Sequence, residues 1–450
     1  MTNQTSKIIT RKIIGSLSSS IKEIGFGEND LPLHDNDAIN QYRKEAWHTF
    51  SLLPFPSKQD EAWRRTSLNL LDLGKLKYSR IQPEFKYADK MTSEDEGKAK
   101  EYSGEIRITD KNVTTIISEE LRSKGVLFFD LRTALSKYPK IVSAIRGTIV
   151  PPKDGKFAAL ASAFSEDGLL LYVPKNLIID MPFHAIISNV SLFSVAFSHI
   201  IVWLEDGAEA SLFLEYSGDR KTESGQAFHS GIVEVLVGSN SKLKLFELQS
   251  MSNNVWSIMH ERAKVSDDGE LDWVYGAFGS HMTKNFSDID LVGQGAQAKL
   301  SGLYICNDNQ HMDLDTQQNH LAPDTTSDLL YKGVIKGKSR SVWQGMIFVA
   351  PNAMKTDGYQ KNKNLLLSKD AQANSIPGLE ILANDVRCSH GSTVSNIDSN
   401  ELFYLETRGI NQTEAEGLIV KGFLNEIIER IPSNVVRDRF DSEVNKKLRI

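Results

Sequence analysis

Short stretches of alternating apolar and polar residues dominate the chain from about Gly147 to Ile397. Each stretch follows a turn rich in Gly, Asp, Asn, Ser or Lys, and such alternation is typical of a half-buried β-strand. The unit of one turn and one strand recurs as DGAEASLFLEY at 206, SNSKLKLFELQ at 239, DGELDWVYGAF at 268, QGAQAKLSGLYI at 294, KGKSRSVWQGMIF at 336 and KDAQANSIPGLEIL at 369. Recurring units predict stacked coils, and a right-handed parallel β-helix fits them. A β-sandwich is the alternative, although these repeats are longer than hairpin spacing and lack a consistent two-residue turn.

The first 146 residues have a mixed pattern. Apolar residues at helical spacing predict helices over 37–50, 60–71 and 133–145, and short apolar runs predict strands over 106–108 and 126–129. The polar run 91–102 reads as a solvated linker. Residues 1–22 contain four basic and no acidic residues. They favour an amphipathic helix through Ile13, Leu17 and Ile21, with an organellar transit peptide as the alternative.

After Ile397 the apolar period changes from two to about 3.6 residues, which predicts a helical C-terminal region. Asp398 with Glu401, and Asn411 with Glu414, read as capping boxes, and Gly409 is expected to end the first helix. The next helix, 414–431, carries an apolar stripe of Leu418, Phe423, Ile427 and Ile428, and a last amphipathic helix follows over 435–448. This stripe must cover either the end of the β-helix or a partner.

These patterns predict a mainly β protein in four segments. They are an N-terminal helical region (1–95), a mixed connecting segment (96–146), the β-helix core (147–397) and a helical C-terminal domain (398–450). With 450 residues, 40% of them hydrophobic and 24% charged, the chain has the composition of a soluble folded protein.

Charge and cysteine content narrow the classes of partner. The formal net charge of −6 argues against nucleic-acid binding driven by phosphate contacts. Residues 181–204 contain no Asp, Glu, Lys or Arg, but polar residues interrupt them, so buried strands are expected there and not a membrane span. Cys306 and Cys388 are far apart and form no CxxC, which indicates a reducing compartment and favours the cytoplasm, with an organelle as the alternative.

Three motifs could carry chemistry. GVIKGKS at 333–339 is one residue short of a phosphate-binding loop and joins two predicted strands, so nucleotide binding is not expected. HMDLDTQQNH at 311–320 lacks a rigid metal-ligand spacing and reads as a polar strand edge. In NDVRCSHGSTVSNID at 384–398, Cys388 and His390 project from the same face of a strand, and thiolate and imidazole are donors that iron favours. A buried cysteine beside a structural histidine is the alternative.

The segment ILANDVRCSHGSTVSNIDSNELFYLETRGI at 381–410 resembles the signature of the SufB/SufD family of iron-sulfur cluster assembly proteins. Four further stretches resemble the same family in the same order: KQDEAWRRTSL at 58–68, FAALASAF at 157–164, LYKGVIKGKSRSVWQGMIFV at 330–349 and KTDGYQKNKNLLLS at 355–368. Gly391, in a CSHG pattern, and the stretch at 58–68 resemble the SufD branch of the family. The segment KGVLFFDLRTALSKYP at 124–139 is close to SufB as well.

The resemblance implies a non-catalytic scaffold that pairs with SufB through the β-helix and binds the ABC-type ATPase SufC through C-terminal helices. It implies His390 as an iron or cluster ligand, Cys388 as a ligand or a supporting residue, and Leu418, Phe423 and Ile427 as candidates for the SufC dock. No stable cofactor is expected on the isolated chain, but the resemblance implies a transient iron-sulfur cluster on the complex and allows reduced flavin to bind there. A homodimer when alone, a SufB-like role and a purely structural β-helix partner stay open. A polysaccharide-cleaving β-helix enzyme is a further alternative, without a motif here.

Overall fold

Two parallel β-sheets wound into a β-helix of about ten turns form the centre of the molecule. The computed structural model describes residues 24–78, 84–88, 101–188, 194–218 and 225–448. The predicted helix over 1–22 and most of the predicted linker at 91–102 lie outside these residues. The mainly β fold with a parallel β-helix and helices at both ends is confirmed.

The strands are numbered in chain order, and from β5 onward they alternate between the two sheets. The first sheet has eleven strands: β1 (Glu84–Ala88), β2 (Gly104–Thr109), β3 (Asn112–Ile117), β6 (Phe183–Ser188), β8 (Glu209–Ser217), β10 (Lys242–Ser250), β12 (Glu270–Ala277), β14 (Gln297–Cys306), β16 (Thr326–Ile335), β18 (Asp357–Leu366) and β20 (Arg387–Asn396). The second sheet has nine: β4 (Leu127–Asp130), β5 (Asp167–Val173), β7 (Val195–Leu204), β9 (Ala227–Val237), β11 (Val255–Val265), β13 (Met282–Leu291), β15 (His311–His320), β17 (Arg340–Val349) and β19 (Gln372–Ile381). From β5 and β6 onward, each strand pairs in parallel with the strand two positions further along the chain, so each coil contributes one strand to each sheet.

The α-helices lie before, within and after this stack. They are α1 (Asp37–Leu52), α2 (Glu119–Ser123), α3 (Leu131–Lys137), α4 (Pro139–Ile145), α5 (Lys156–Phe164), α6 (Ser399–Thr407), α7 (Gln412–Ile428) and α8 (Asn434–Leu448). Strands of both sheets already occur in the range 96–146, and α5 lies within 147–397. None of the described helices is both long and apolar enough to span a membrane, and the uncharged segment 181–204 contributes β6 and β7.

One column of turns explains why the first four repeats look alike. In successive coils the turn before a strand of the first sheet contains a residue with positive φ, as at Gly207, Asn240, Asp268 and Gly295. Glycine, Asn and Asp tolerate this left-handed conformation best. The N–H of each of these residues donates to a carbonyl of the following coil, for example from Gly207 to Ser239 at 2.8 Å. The repeats starting at 336 and 369 belong to the other corner, since they lead into β17 and β19.

Aromatic side chains fill the bore of the β-helix by packing over glycines of neighbouring strands. Tyr331 lies beside Gly302, and Tyr304 lies beside Gly333, in paired positions of β14 and β16. A Cβ atom on Gly302 would lie 2.4 Å from the Tyr331 ring, and one on Gly333 would lie 2.2 Å from the Tyr304 ring. The absent side chains therefore make the space that the rings occupy.

Two predicted helices are corrected by the structure. The segment 60–71 contains only a short 3-10 turn at Glu61–Trp63, because the segment lies across the second sheet. The Trp63 side chain is buried there. The Thr66 hydroxyl hydrogen-bonds to His311 and donates to Asp313, both on β15. The predicted helix over 133–145 is two helices, α3 and α4, with Pro139 at the first position of the second. Proline lacks the N–H that a continuous helix would need there.

The C-terminal helices α7 and α8 cover the outer face of the first sheet, and not the end of the β-helix as the sequence pattern predicts. Val420, Leu424 and Ile427 pack with Phe440 against a cluster that includes Leu330 and other apolar residues of β8 to β18. Asp398 and Asn411 cap α6 and α7 as predicted, by accepting from the backbone N–H groups of Asn400 and Glu414, but Glu401 and Glu414 do not make the reciprocal bonds of a capping box. Gly409 has φ +88° just after α6, as predicted. The predicted stripe is wrong in part, since Leu418 points away from this face and is half exposed.

Candidate functional site

The β-helix has an open end formed by its last two strands. β20 is the terminal strand of the first sheet and β19 that of the second, so among the described residues neither has a strand beyond it. The chain then leaves into α6, which packs on α7. The described residues thus leave two strand edges and the inner face of the last coil without a covering layer.

Cys388 and His390 lie on the inner face of β20, two positions apart as predicted. The register places Cys388 beside Gly358 and His390 beside Gln360 of β18, and Gln360 continues the row of Leu329, a residue of the apolar bore. In preceding coils this row is buried, but His390 is exposed and Cys388 is half-buried, because no further coil covers them. The two side chains are therefore accessible from outside.

The thiol of Cys388 sits against a closely packed floor. A Cβ atom on Gly358 would lie 3.3 Å from Cys388 Sγ and 3.3 Å from Nε2 of His320, so the missing side chain makes room for both groups. Cys388 also packs beside an apolar cluster that includes Ile347. Burial raises the pKa of the Cys388 thiol, which favours the neutral thiol in the chain on its own.

A row of buried amides supports the position of His390. Gln360, Asn362 and Asn364 are almost fully buried, and Asn364 donates from its side-chain amide to Asn362 at 2.6 Å. The Gln360 amide donates to the carbonyl of Gly378 on β19 at 2.8 Å, which ties the two sheets together beneath the last coil. Gln360 is thus held in place, and His390 occupies the next position of its row, at the open end.

The other two motifs have structural roles among the described residues. GVIKGKS joins β16 directly to β17, as expected, so no helix N-terminus follows it. HMDLDTQQNH forms β15, which lies inside the second sheet and not at a sheet edge. Its Asp313 forms a fully buried ion pair with Lys284 at 2.9 Å, and His320 hydrogen-bonds to Thr325 and Ser327. In the described ranges no group of three or more His, Cys, Asp or Glu side chains is placed to hold a metal ion.

The three residues predicted for an ATPase dock differ in how far their side chains are exposed. Leu418 is 50% exposed, Phe423 is half-buried with its carbonyl accepting from Lys332, and Ile427 is fully buried against the sheet. Sequence reasoning missed Phe403 and Tyr404 on α6, which are 66% and 58% exposed. The signal was the aromatic pair in NELFYLET, which lies on a helix with no buried residue.

Two family models together span residues 27–423. The one described as SUF system FeS cluster assembly, SufBD core domain, matches residues 186–423, and the one described as SufBD protein N-terminal region matches residues 27–184. Iron-sulfur cluster assembly SufBD family proteins of Staphylococcus saprophyticus, Staphylococcus haemolyticus and Staphylococcus aureus are each 28% identical to the chain over 316 residues, which is 70% of this chain and 68% of each relative. The core-domain match includes β20, and with it the open end.

Proposed function

Because the chain belongs to the SufBD family of iron-sulfur cluster assembly proteins, we propose that it is a SufD-type scaffold subunit on which a nascent cluster is built. The observation that carries this proposal is the accessible pair Cys388 and His390 on the inner face of the last coil. Imidazole and thiolate are ligands of iron and of iron-sulfur clusters. The cluster is the cargo of this site, and the chain itself performs no catalysis.

The site needs a partner to complete it. Iron-sulfur clusters are usually held by four protein ligands, and only two candidate donors lie at the open end in the described part of the chain. His390 is the first of these, because its imidazole is exposed at the open end and imidazole nitrogen is a ligand of iron. Cys388 supports it, since its raised thiol pKa makes thiolate formation depend on an incoming metal.

The partner of this proposal is SufB, joined through the open edges. Exposed strand edges pair readily with strands of another chain. Apolar side chains at the same end strengthen the case, since Ile381, Leu382 and Val394 are 39–52% exposed. A second β-helix seated on β19 and β20 would cover them and bring its own donors to His390. A second copy of this chain could use the same edges when SufB is absent.

In this proposal the ATPase SufC docks on the exposed side of α6 and α7. Phe403, Tyr404 and Leu418 are the large exposed apolar residues there, and aromatic anchors of this kind dominate many protein interfaces. Ile427 is excluded as a direct contact because it is fully buried within the chain. ATP hydrolysis belongs to SufC in this proposal, since the one loop resembling a phosphate-binding motif joins two strands.

Co-expression with SufB and SufC, followed by mass measurement of the intact complex, tests the proposal. We expect a complex with one copy of this chain and one copy of SufB. Val394→Lys is expected to abolish that pairing, because it places a charged side chain at the open end that SufB would cover. Leu52→Lys is the matched control, because Leu52 is an exposed apolar residue at the end of α1. A complex that forms equally well with Val394→Lys would contradict pairing through the open end. A homodimer that excludes SufB would contradict the SufD-type role.

A further inference from the structure

Two glutamates face each other inside the bore, in the middle of the stack and away from the open end. Glu247 lies on β10 and Glu261 on β11, at positions in the same alternation as the inward residues Leu245 and Ala263. Both are buried, with 1% and 2% of their surface exposed. The cluster-binding proposal makes no use of them, and carboxyl groups are rarely buried without a partner.

The contacts of the pair leave one oxygen on each carboxyl group without a donor. Glu261 Oε2 accepts from Asn285 Nδ2 at 3.1 Å and from Ser287 Oγ at 2.8 Å. The two carboxyl groups also lie within hydrogen-bonding reach of each other. Oε2 of Glu247 and Oε1 of Glu261 are buried and have no hydrogen-bond partner among the described residues, although the nearby Trp273 indole N–H acts to lower the pKa of Glu247. Two carboxylate oxygens cannot hydrogen-bond to each other unless one of them carries a proton.

The groups around the pair supply no compensating positive charge within the bore. The titratable side chains that face it are tyrosines, which are neutral near pH 7: Tyr216 of β8, Tyr275 of β12 and Tyr331 of β16. His229 of β9 packs against Tyr216, and burial lowers its pKa to about 3, so it is neutral as well. Asp288, on the outer face of β13, adds repulsion, and Arg262 on that face already pairs with it and with Asp154. Two ionised carboxylates here would repel each other in a medium of low polarity.

We infer that Glu247 and Glu261 form a proton-binding site inside the β-helix, in which one proton is held between the two carboxyl groups. Burial and the neighbouring carboxylate raise the pKa of Glu247 well above its ordinary value, so that group keeps its proton. Burial raises the pKa of Glu261 to about 7, so a second proton leaves the pair near neutral pH. The pair thus changes from neutral to singly charged within the physiological range, and this inference does not depend on cluster binding.

Infrared spectroscopy of the full chain tests the inference directly, because a protonated carboxyl group has its own C=O stretching band that shifts in D2O. Above about pH 7, where ordinary carboxyl groups are ionised and Glu261 has lost its proton, we expect the wild-type chain to keep one such band, on Glu247. Glu247→Gln should remove it. Glu261→Gln should keep it but lose the second band that the wild type gains as the pH falls below about 7.

Glu270→Gln is the matched control, since Glu270 is an exposed residue of β12, and it should leave both bands unchanged. A wild-type spectrum without a protonated carboxyl band just above about pH 7 would overturn the inference, and this outcome requires no variant to fold. A band that persists in folded Glu247→Gln would also overturn it, because the proton would then belong to another carboxyl group.

Discussion

Replacing Glu261 by glutamine should change how the stability of this protein depends on pH. The pKa of Glu261 is raised from 4.5 to about 7 by burial in the bore. Between these two values the folded chain holds a proton that the unfolded chain has released. Stability therefore falls as the pH rises through this window, because the unfolded state binds fewer protons than the folded state. Glutamine has the shape of the protonated acid and does not titrate, so Glu261→Gln should lose this dependence.

The magnitude follows from the two pKa values. One pH unit of difference corresponds to about 1.4 kcal/mol, so the interval from 4.5 to about 7 corresponds to about 3 kcal/mol. The free energy of unfolding of Glu261→Gln, relative to wild type, should therefore rise by about 3 kcal/mol between about pH 4 and about pH 8. Such a change is a large part of the stability of an ordinary domain.

Urea denaturation at a series of pH values, followed by circular dichroism, measures this difference. Glu270→Gln serves as the control because its side chain is exposed on β12, and its curve should run parallel to wild type. Wild-type and Glu261→Gln curves that stay parallel from acid to alkaline pH would refute the reasoning, because Glu261 would then titrate alike in the folded and unfolded chain.

Two further predictions concern packing and docking. Gly302→Ala should lower the free energy of unfolding by about 1–3 kcal/mol, because the added methyl group meets the Tyr331 ring. Gly422→Ala is the control: the added methyl group has free space in α7, so this variant should be neutral or slightly stabilising. Thermal melting compares the two variants, and equal melting temperatures would contradict the packing argument. Leu418→Arg should abolish SufC binding in a pull-down without changing the melting temperature, because Leu418 is exposed. Ile427→Ala should instead lower the free energy of unfolding by about 2–5 kcal/mol, because Ile427 is fully buried. Undiminished SufC binding by Leu418→Arg would place the dock elsewhere.

The β-helix could be predicted because its physical cause is local. Turn residues such as Gly207 and Asn240 adopt positive φ in each coil, and the strand that follows alternates apolar and polar residues. The same alternation does not predict correctly which residues line the bore. In KLKLFELQ the inward row runs from Leu243 and Leu245 to Glu247, while Phe246 faces α7 and α8 on the outside. The sequence pattern cannot show that the outer face of this sheet is apolar too, because the helices that cover it come from far along the chain.

The segment over 60–71 shows the limit of helical spacing as evidence. Its apolar residues have the right period, yet Trp63 and Thr66 are held by residues of β13 and β15 more than 200 positions away. Contacts at such separation override local propensity and leave no mark within the segment itself. The candidate site could be predicted better from the sequence. Cys388 and His390 could be placed together because residues two positions apart on one strand share a face. Their exposure could not be predicted, since it depends on β20 being the last strand of its sheet.

The iron and sulfide content of the complex assembled with His390→Ala is the most direct test of the scaffold proposal. His390 is exposed at the open end, so its truncation should leave the melting temperature and the pairing with SufB unchanged. Ser392→Ala, two positions further along the same face of β20, is the matched control and should assemble clusters normally. We expect His390→Ala complexes to contain little or no iron and acid-labile sulfide. A folded His390→Ala complex with wild-type cluster content would contradict the account and favour a purely structural subunit.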